Sequence, residues 1–238
     1  MIIKNFQQSY DSYDNDKLEY EYEKWCNDKS DPDYMFWRIF FEAEVEFLKQ
    51  GIKGKIIENP KKNNPIFKNV KNILLASGKD MLKKAEFFLK KNRIQTLNLG
   101  DNIKGESRQI AVEHAKQILK TNKRKFAIIS GGETTVTVSG SGKGGRNSEY
   151  ALSLFNRVKN TDHIAAISCD TDGIDGSEDN AGVYFDNKII TKAKQLSLDP
   201  EFFLKTNDSY SFFKKLNSLI HTGPTLTNVN DYRVVMKI

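Results

Sequence analysis

An α/β fold is what this sequence predicts, and three observations carry it. Short apolar runs, Ile73-Leu74-Leu75-Ala76, Gln95 to Leu99, Phe126 to Ile129 and His163 to Ser168, are too brief for helices and stop at Ser, Gly or Asp. Helix-length stretches with apolar residues three and four apart lie between them. Strand, helix, strand, helix, strand at this spacing is the pattern of parallel βαβ units. With 238 residues, 38% of them hydrophobic, the chain can bury a sizeable core as one large domain or two small ones.

Taken in order, residues 1–30 are polar and rich in Tyr and Asp, with at most a short helix from Asp14 to Asn27. From Asp33, Met35, Phe36, Ile39, Phe40, Ala43, Phe47 and Leu48 recur at helical spacing until Gln50-Gly51 closes the helix. Its adjacent aromatic pairs, Phe36-Trp37 and Phe40-Phe41, predict a packed helix. Residues 51–69, with Pro60 and Pro65, read as a linker. The Ile73–Ala76 strand is followed by a helix from Asp80 to Lys91, a strand from Gln95, and a second helix from Glu106 to Lys120. His114 lies on the apolar stripe of that helix, which makes it a core histidine rather than a ligand.

Phe126 to Ile129 reads as a buried strand, and the alternation of Thr135, Val136, Thr137 and Val138 as a second one, the two forming a hairpin. Ser130-Gly131-Gly132-Glu133-Thr134 stands at one turn and the run from Ser139 to Gly145 at the other. Glycines leave backbone N–H groups open to an anion, and a helix beginning near Asn147 adds its positive end there. A phosphate or carboxylate site is one reading; an ordinary flexible loop is the other. Gly140-x-Gly142-x-x-Gly145 also fits a dinucleotide pattern, although a lone match is weak. A Walker-type loop fails, because Lys143 is followed by Gly144.

Later elements are a helix from Asn147, the strand ending at Ser168, a short strand or tight turn at Asn180–Phe185, and helices near Asn187–Gln195, Pro200–Lys205 and Ser209–Leu216. Tyr232 to Ile238 forms a terminal strand. Asp170, Asp172 and Asp175 follow the strand directly, where open α/β sheets bind ligands, and carboxylates there can hold Mg²⁺ or act as a base. The competing reading is an acidic turn. Thr222 to Asp231 is a polar loop whose hydroxyls and amides suit a polyhydroxylated or carboxylate substrate.

The formal net charge of +6 is uneven: residues 61–125 carry 17 Lys+Arg against 5 Asp+Glu, hence +12, while 126–238 carry 12 against 13, hence −1. No aromatics interleave the basic clusters, so a solvated surface is expected rather than a nucleic-acid platform. Cys26 and Cys169 form neither a disulfide framework nor a metal-ligand pair. No secretory signal and no membrane-length apolar run follow Met1, which points to the cytoplasm with no membrane partner.

Five motifs in this order resemble one family. They are Ser130-Gly-Gly-Glu-Thr-Thr-Val136, Gly142-Lys-Gly-Gly-Arg-Asn147 with Glu149, Asp170-Thr-Asp-Gly-Ile-Asp-Gly176, Asn207-Asp208-Ser209, and Thr222-Gly-Pro-Thr225 with Thr227-Asn-Val-Asn-Asp231. The family is that of the glycerate 2-kinases with a C-terminal MOFRL domain, often labelled hydroxypyruvate reductases. The similarity runs over roughly residues 58–232. It implies a three-layer αβα sandwich over 123–238, preceded by a partial Rossmann-like βαβ segment at 58–122 and a divergent helical segment at 1–57.

The resemblance further implies transfer of the γ-phosphoryl of ATP to the 2-hydroxyl of D-glycerate with Mg²⁺. Arg146, Asp170 and Asp172 would be catalytic, with Asp170, Asp172 and Asp175 on the metal. Ser130, Gly131, Gly132, Glu133, Thr134, Gly142, Gly144 and Gly145 would hold the nucleotide, and Asn147, Asn228, Asn230 and Asp231 the small hydroxy acid. Most of the family's N-terminal domain has no counterpart, so a separate chain supplying it, or a homo-oligomer, is an implied partner. Leu226 stands where the family has glycine. The alternatives are an NAD(P)-dependent hydroxypyruvate reductase and a non-catalytic ligand-binding domain.

Overall fold

A computed structural model of the chain describes residues 46, 49–50, 53, 55, 60–61, 63–71 and 73–238. The chain divides into two compact units, 1–72 and 73–238. Within the first, Asn64 caps a single turn at Pro65–Phe67 by accepting from the Ile66 N–H at 3.0 Å. The helices expected at 14–27 and 33–50 lie outside the described residues, apart from a few positions near the end of the second.

In the second unit, helix α1 (Gly78–Lys91) starts at Ser77, whose hydroxyl and backbone N–H are reciprocally bonded with Asp80. Strand β1 (Gln95–Asn98), strand β2 (Ile103–Glu106), helix α2 (Ser107–Lys120) and strand β3 (Phe126–Thr135) follow. Helix α3 (Arg146–Val158) leads to strand β4 (Ile164–Asp170) and strand β5 (Gly182–Phe185). Helices α4 (Asn187–Gln195), α5 (Pro200–Lys205) and α6 (Ser209–Leu216) precede strand β6 (Leu219–Ile220) and strand β7 (Asp231–Lys237). Asp186 and Asp199 cap α4 and α5, which explains why those boundaries are readable in the sequence.

One mixed sheet runs β1-β3-β7-β4-β5-β6, with β2 paired to the second half of β3. Strands β1 and β3 are parallel through α2, as the βαβ pattern predicts. The last strand, β7, inserts antiparallel between β3 and β4. Strands β1, β2 and β3, which lie on either side of the boundary expected between 122 and 123, share this sheet.

Alternate residues of each strand face opposite ways. Ile128, Ile164, Ala166, Val183, Phe185 and Val235 pack under α2 to α6, while Ala127, Ile129 and Val234 pack under α1 with Leu82 and Leu89. The larger layer is centred on Phe155, whose ring meets Phe185 and Phe212 edge-on at 5.3 and 5.1 Å. His114 is a core residue here: its Nδ1 lies 2.7 Å from the Tyr150 hydroxyl, and burial, assisted by the charge of Arg233, pushes its pKa down to about 4.

Two expectations are corrected. Ile73 to Ala76 is irregular, and Leu75 is 92% exposed. The outer edge of β1, where a crossover through α1 would seat that strand, pairs with no strand among the described residues. The expected hairpin is instead one continuous strand, Phe126–Thr135, after which 136–138 are irregular. Along one edge β3 pairs with β1 at 126–129 and then with β2 at 132–135, while β7 runs unbroken along the other edge. Glycine permits the change of partner. Gly132 has φ +110°, and a Cβ there would strike the backbone N and O of Ile103. Gly132→Ala should therefore lower stability by about 2 kcal/mol or more, read as a shifted midpoint in urea unfolding.

Candidate functional site

Three elements converge where β4 ends, β7 begins and α3 starts. Asp170 is the last residue of β4 and Asp231 the first of β7, and the two are paired partners in the sheet. Arg146 and Asn147 open α3, which lies across that end. Arg146 Nη2 is hydrogen-bonded to Asp170 Oδ2, and its Nε donates to Asp231 Oδ1 at 2.8 Å. Its Nη1 is 3.7 Å from the half-exposed Glu133 carboxylate. Asn147 Nδ2 donates to the same Asp231 Oδ1 at 2.8 Å, and its own Oδ1 accepts from the Ser168 hydroxyl at 2.7 Å. Bonds that span as many as 85 positions in the chain thus join these residues into one connected group.

The electrostatics are dominated by buried carboxylates. Desolvation pushes the Asp170 carboxyl up to about 6, helped by the negative charges of Asp231 and Asp172 and opposed by the Asp172 N–H and Arg146. For Arg146, burial works against the charge, but Asp231, Asp170 and Glu133 outweigh it and hold the guanidinium above its ordinary value. Asp172 sits in the turn after β4. Its N–H donates to Asp170 Oδ1 at 3.2 Å, its Oδ1 accepts from Ile174 N at 2.9 Å, and Asn228 Nδ2 reaches its Oδ2 at 3.5 Å.

Asp175 has a different position from the one expected of a metal ligand. It is 1% exposed, and its two oxygens accept from the backbone N–H groups of Asn147 and Ser148, each at 2.8 Å. The protein's own carboxylate therefore occupies the positive end of α3, where the sequence suggested a bound anion. Gly145 is glycine for this reason, since a Cβ there would collide with Asp175.

The glycine loop is likewise closed by side chains. Asn207 Oδ1 accepts from the N–H groups of Ser139 and Gly140 at 2.8 and 2.9 Å, and Asp208 Oδ1 from that of Lys143 at 3.0 Å. The Gly142 N–H donates to the Thr206 carbonyl at 2.9 Å. A Cβ on Gly140, Gly142 or Gly144 would meet Thr206, Asp208 or Ser209. These glycines serve close packing against the α5–α6 connection, and the loop's exposed crest is Ser141 and Lys143. Beneath it, Arg108 pairs with the buried Glu149, which also accepts from Asn207 Nδ2 at 3.3 Å. Arg233, Asn207 and Asp208 were not singled out as site residues; only the two-residue spacing of Asp231 and Arg233 in a strand could have flagged the first.

Ser130, Gly131, Gly132 and Thr134 are buried within β3 and form the floor of the site. Gly131 closely approaches Asp101 and Asp231, and the Thr134 N–H reaches Asp231 Oδ2 at 3.4 Å. Asn228 and Asn230 are exposed on the loop before β7, where the Asn230 carbonyl accepts from the Thr171 hydroxyl at 2.7 Å. Leu226, on the same loop, has φ +58° and is 98% exposed, a backbone conformation suited to glycine.

Among the described residues no three His, Cys, Asp or Glu side chains gather as a cation cage. Asp170 and Asp172 still offer the donor set Mg²⁺ accepts, one or two carboxylates completed by water and phosphate oxygens. No helix among the described residues is long and apolar enough to cross a membrane.

Comparison with known proteins places these residues in a family. Residues 126–231 match the model of the MOFRL family. A glycerate 2-kinase of Pyrococcus horikoshii is 31% identical over 204 residues, covering 83% of this chain and 46% of that protein. A D-glycerate 2-kinase of Thermotoga maritima is 46% identical over 109 residues, covering 46% of this chain and 26% of its own length. A protein of Agrobacterium vitis named as a hydroxypyruvate reductase is 40% identical over 148 residues, covering 59% of this chain and 34% of its own. The crystal structure of the Thermotoga maritima glycerate kinase superposes with a TM-score of 0.67 at 33% identity, over 71% of this chain and 42% of that one. The chain spans less than half the length of each of these relatives. Its α/β sheet is similar to that of the Thermotoga maritima glycerate kinase, and residues 126–231 form a MOFRL-family domain.

Proposed function

We propose that the chain carries the MOFRL half of an ATP-dependent glycerate 2-kinase, converting D-glycerate to 2-phosphoglycerate. The observation that supports this most directly is one guanidinium, Arg146, held between Asp170 and Asp231 at the end of the sheet. Phosphoryl transfer asks for positioning and charge neutralisation more than covalent chemistry. Asp170 accepts the proton of the 2-hydroxyl as that oxygen bonds to the γ-phosphorus and the bond to the ADP oxygen breaks. Arg146 neutralises the transferred group and Asn228 and Asn230 orient the acid, while the buried Asn147 and Asp231, expected on the acid, hold Arg146 in place from behind. When bound by Asp170 and Asp172, Mg²⁺ would offset the phosphate charge. The nucleotide phosphates lie over the β3 floor and the crest of the 139–145 loop. A cytoplasmic setting, and a further domain supplied by another chain or a second copy, belong to the same reading.

The reductase reading fares worse. Ten residues, 136–145, separate the end of β3 from α3, and Asp175 fills the helix end that a dinucleotide pyrophosphate would need.

An assay of ADP release with D-glycerate and MgATP, beside NADH oxidation with hydroxypyruvate, decides between them. With the further domain supplied, ADP release alone is expected; NADH oxidation without it would install the reductase, and silence in both would favour a non-catalytic domain. The pH profile adds a second check. Asp170 acts as a base only when ionised, so the rate should fall as pH drops through about 6. The linkage sign for stability is opposite: with its folded pKa above the ordinary 3.8, Asp170 favours the folded state below about 4, and that contribution is lost as pH rises through about 6.

A further inference from the structure

We infer that Arg233 is a positioning residue that fixes which oxygen of Asp231 faces Arg146; its catalytic consequence rests on the kinase reading above. The carboxylate of Asp231 is wholly buried and divides its bonds by oxygen. Oδ1 accepts from Arg146 Nε and Asn147 Nδ2 on α3, both at 2.8 Å. Oδ2 accepts from Arg233 Nη2 and, at 3.4 Å, from the Thr134 N–H, both on the sheet. Arg233 lies two residues along β7 and so on the same face, where its side chain turns back to Asp231.

The guanidinium is itself fixed from several sides. Nη2 also donates to the Thr134 hydroxyl at 3.1 Å, which is bonded to the Ser107 hydroxyl at 2.7 Å. Nη1 reaches the Gly131 carbonyl at 3.5 Å, and the group stands 5.4 Å from the centroid of the Tyr150 ring. Through the Tyr150 hydroxyl the chain of contacts continues to His114.

This arrangement is poorly explained as a stabilising device. Arg233 is 1% exposed, and burial pulls its pKa below the ordinary guanidinium value despite Asp231. Among the described residues its Nε has no hydrogen-bond partner, nor does the hydroxyl of Ser130, the residue paired with it across the sheet. A buried guanidinium with an orphaned donor costs stability that an apolar side chain would not. What an apolar residue cannot do is neutralise Asp231 and occupy Oδ2, leaving Oδ1 aimed at α3. A lysine would supply the charge from one nitrogen, without the planar fork whose Nη2 meets Asp231 and Thr134 while Nη1 reaches the Gly131 carbonyl.

The test reads the Arg146 Nε–H proton in the full chain labelled with ¹⁵N-arginine, the signal being identified by its loss in Arg146→Lys. Bonded to Asp231 Oδ1, it should exchange slowly with solvent. Arg233→Lys and Arg233→Met should each accelerate that exchange at least tenfold while the α3 amide signals stay in place. Thr134→Val, which keeps the guanidinium and removes one of its acceptors, should accelerate it about threefold. Wild-type protection in a folded Arg233 variant overturns the proposal. If neither variant folds, unchanged exchange in Thr134→Val overturns it. In the ADP-release assay, Arg233→Lys should lower kcat about 100-fold with the KM for glycerate within threefold. Slow exchange in the wild-type chain, with no ADP released even when the further domain is supplied, refutes the kinase reading and leaves the positioning role standing.

Discussion

Replacing Arg146 by alanine should lower phosphoryl transfer by about 10³-fold or more, with the chain still folded. The size follows from what the guanidinium touches. It links the end of β4, the start of β7 and the half-exposed Glu133, and it opens the helix that covers them. Its loss leaves Asp170 and Asp231 facing each other without a shared cation, which repels the phosphate charge that the residue would have offset. The side chain is still 27% exposed, so water can solvate the gap and the sheet need not unfold. The loss should appear in kcat, with circular dichroism unchanged. An effect confined to the KM for glycerate would instead assign Arg146 to the substrate carboxylate, and unaltered turnover would remove it from the site.

The largest expected loss of stability is at Asp175. Its carboxylate is buried and accepts two backbone N–H groups at the start of α3, each at 2.8 Å. Hydrogen bonds to a charged group contribute about 1.5–3 kcal/mol each, and burial of the charge offsets part of that sum. Asp175→Ala should therefore cost about 3 kcal/mol and lower Tm by about 10 °C. Asp175→Asn, which keeps the shape and one acceptor, should cost about half as much. Because Asp175 sets where α3 begins, both variants should also displace Arg146 and Asn147 and slow catalysis. Full stability in Asp175→Ala would show that water or another group can cap the helix. Retained stability with lost metal dependence would return Asp175 to the ligand role first expected of it.

The course of the chain from Arg146 to Leu216 is readable because each signal there is local. Asp186 and Asp199 sit next to the helices they cap, and the Ile164–Ile167 run stops at the first of three aspartates. The readings that fail are those in which a local pattern has a distant explanation. Glycines at 131–132 mark a turn in isolation, yet they let β3 pass from β1 to β2 without stopping. The 139–145 run looks like an anion cradle, yet Asn207 and Asp208, more than 60 residues later, take its amides. Ile73 to Ala76 has the composition of a buried strand, but no strand pairs beside β1 among the described residues to receive it.

By itself the sequence determined the α/β class, most element boundaries and, through five ordered motifs, the family resemblance. All of these are matters of spacing along the chain. Only the tertiary structure decided that β7 enters antiparallel between β3 and β4, since strand order depends on which edges are free once the sheet assembles. That insertion brings Asp231 beside Asp170 and places Arg233 beneath it, while Asp175 caps the start of α3. Three aspartates that look alike in the sequence thus differ in partners and burial, and those are set by contacts between residues far apart in the chain.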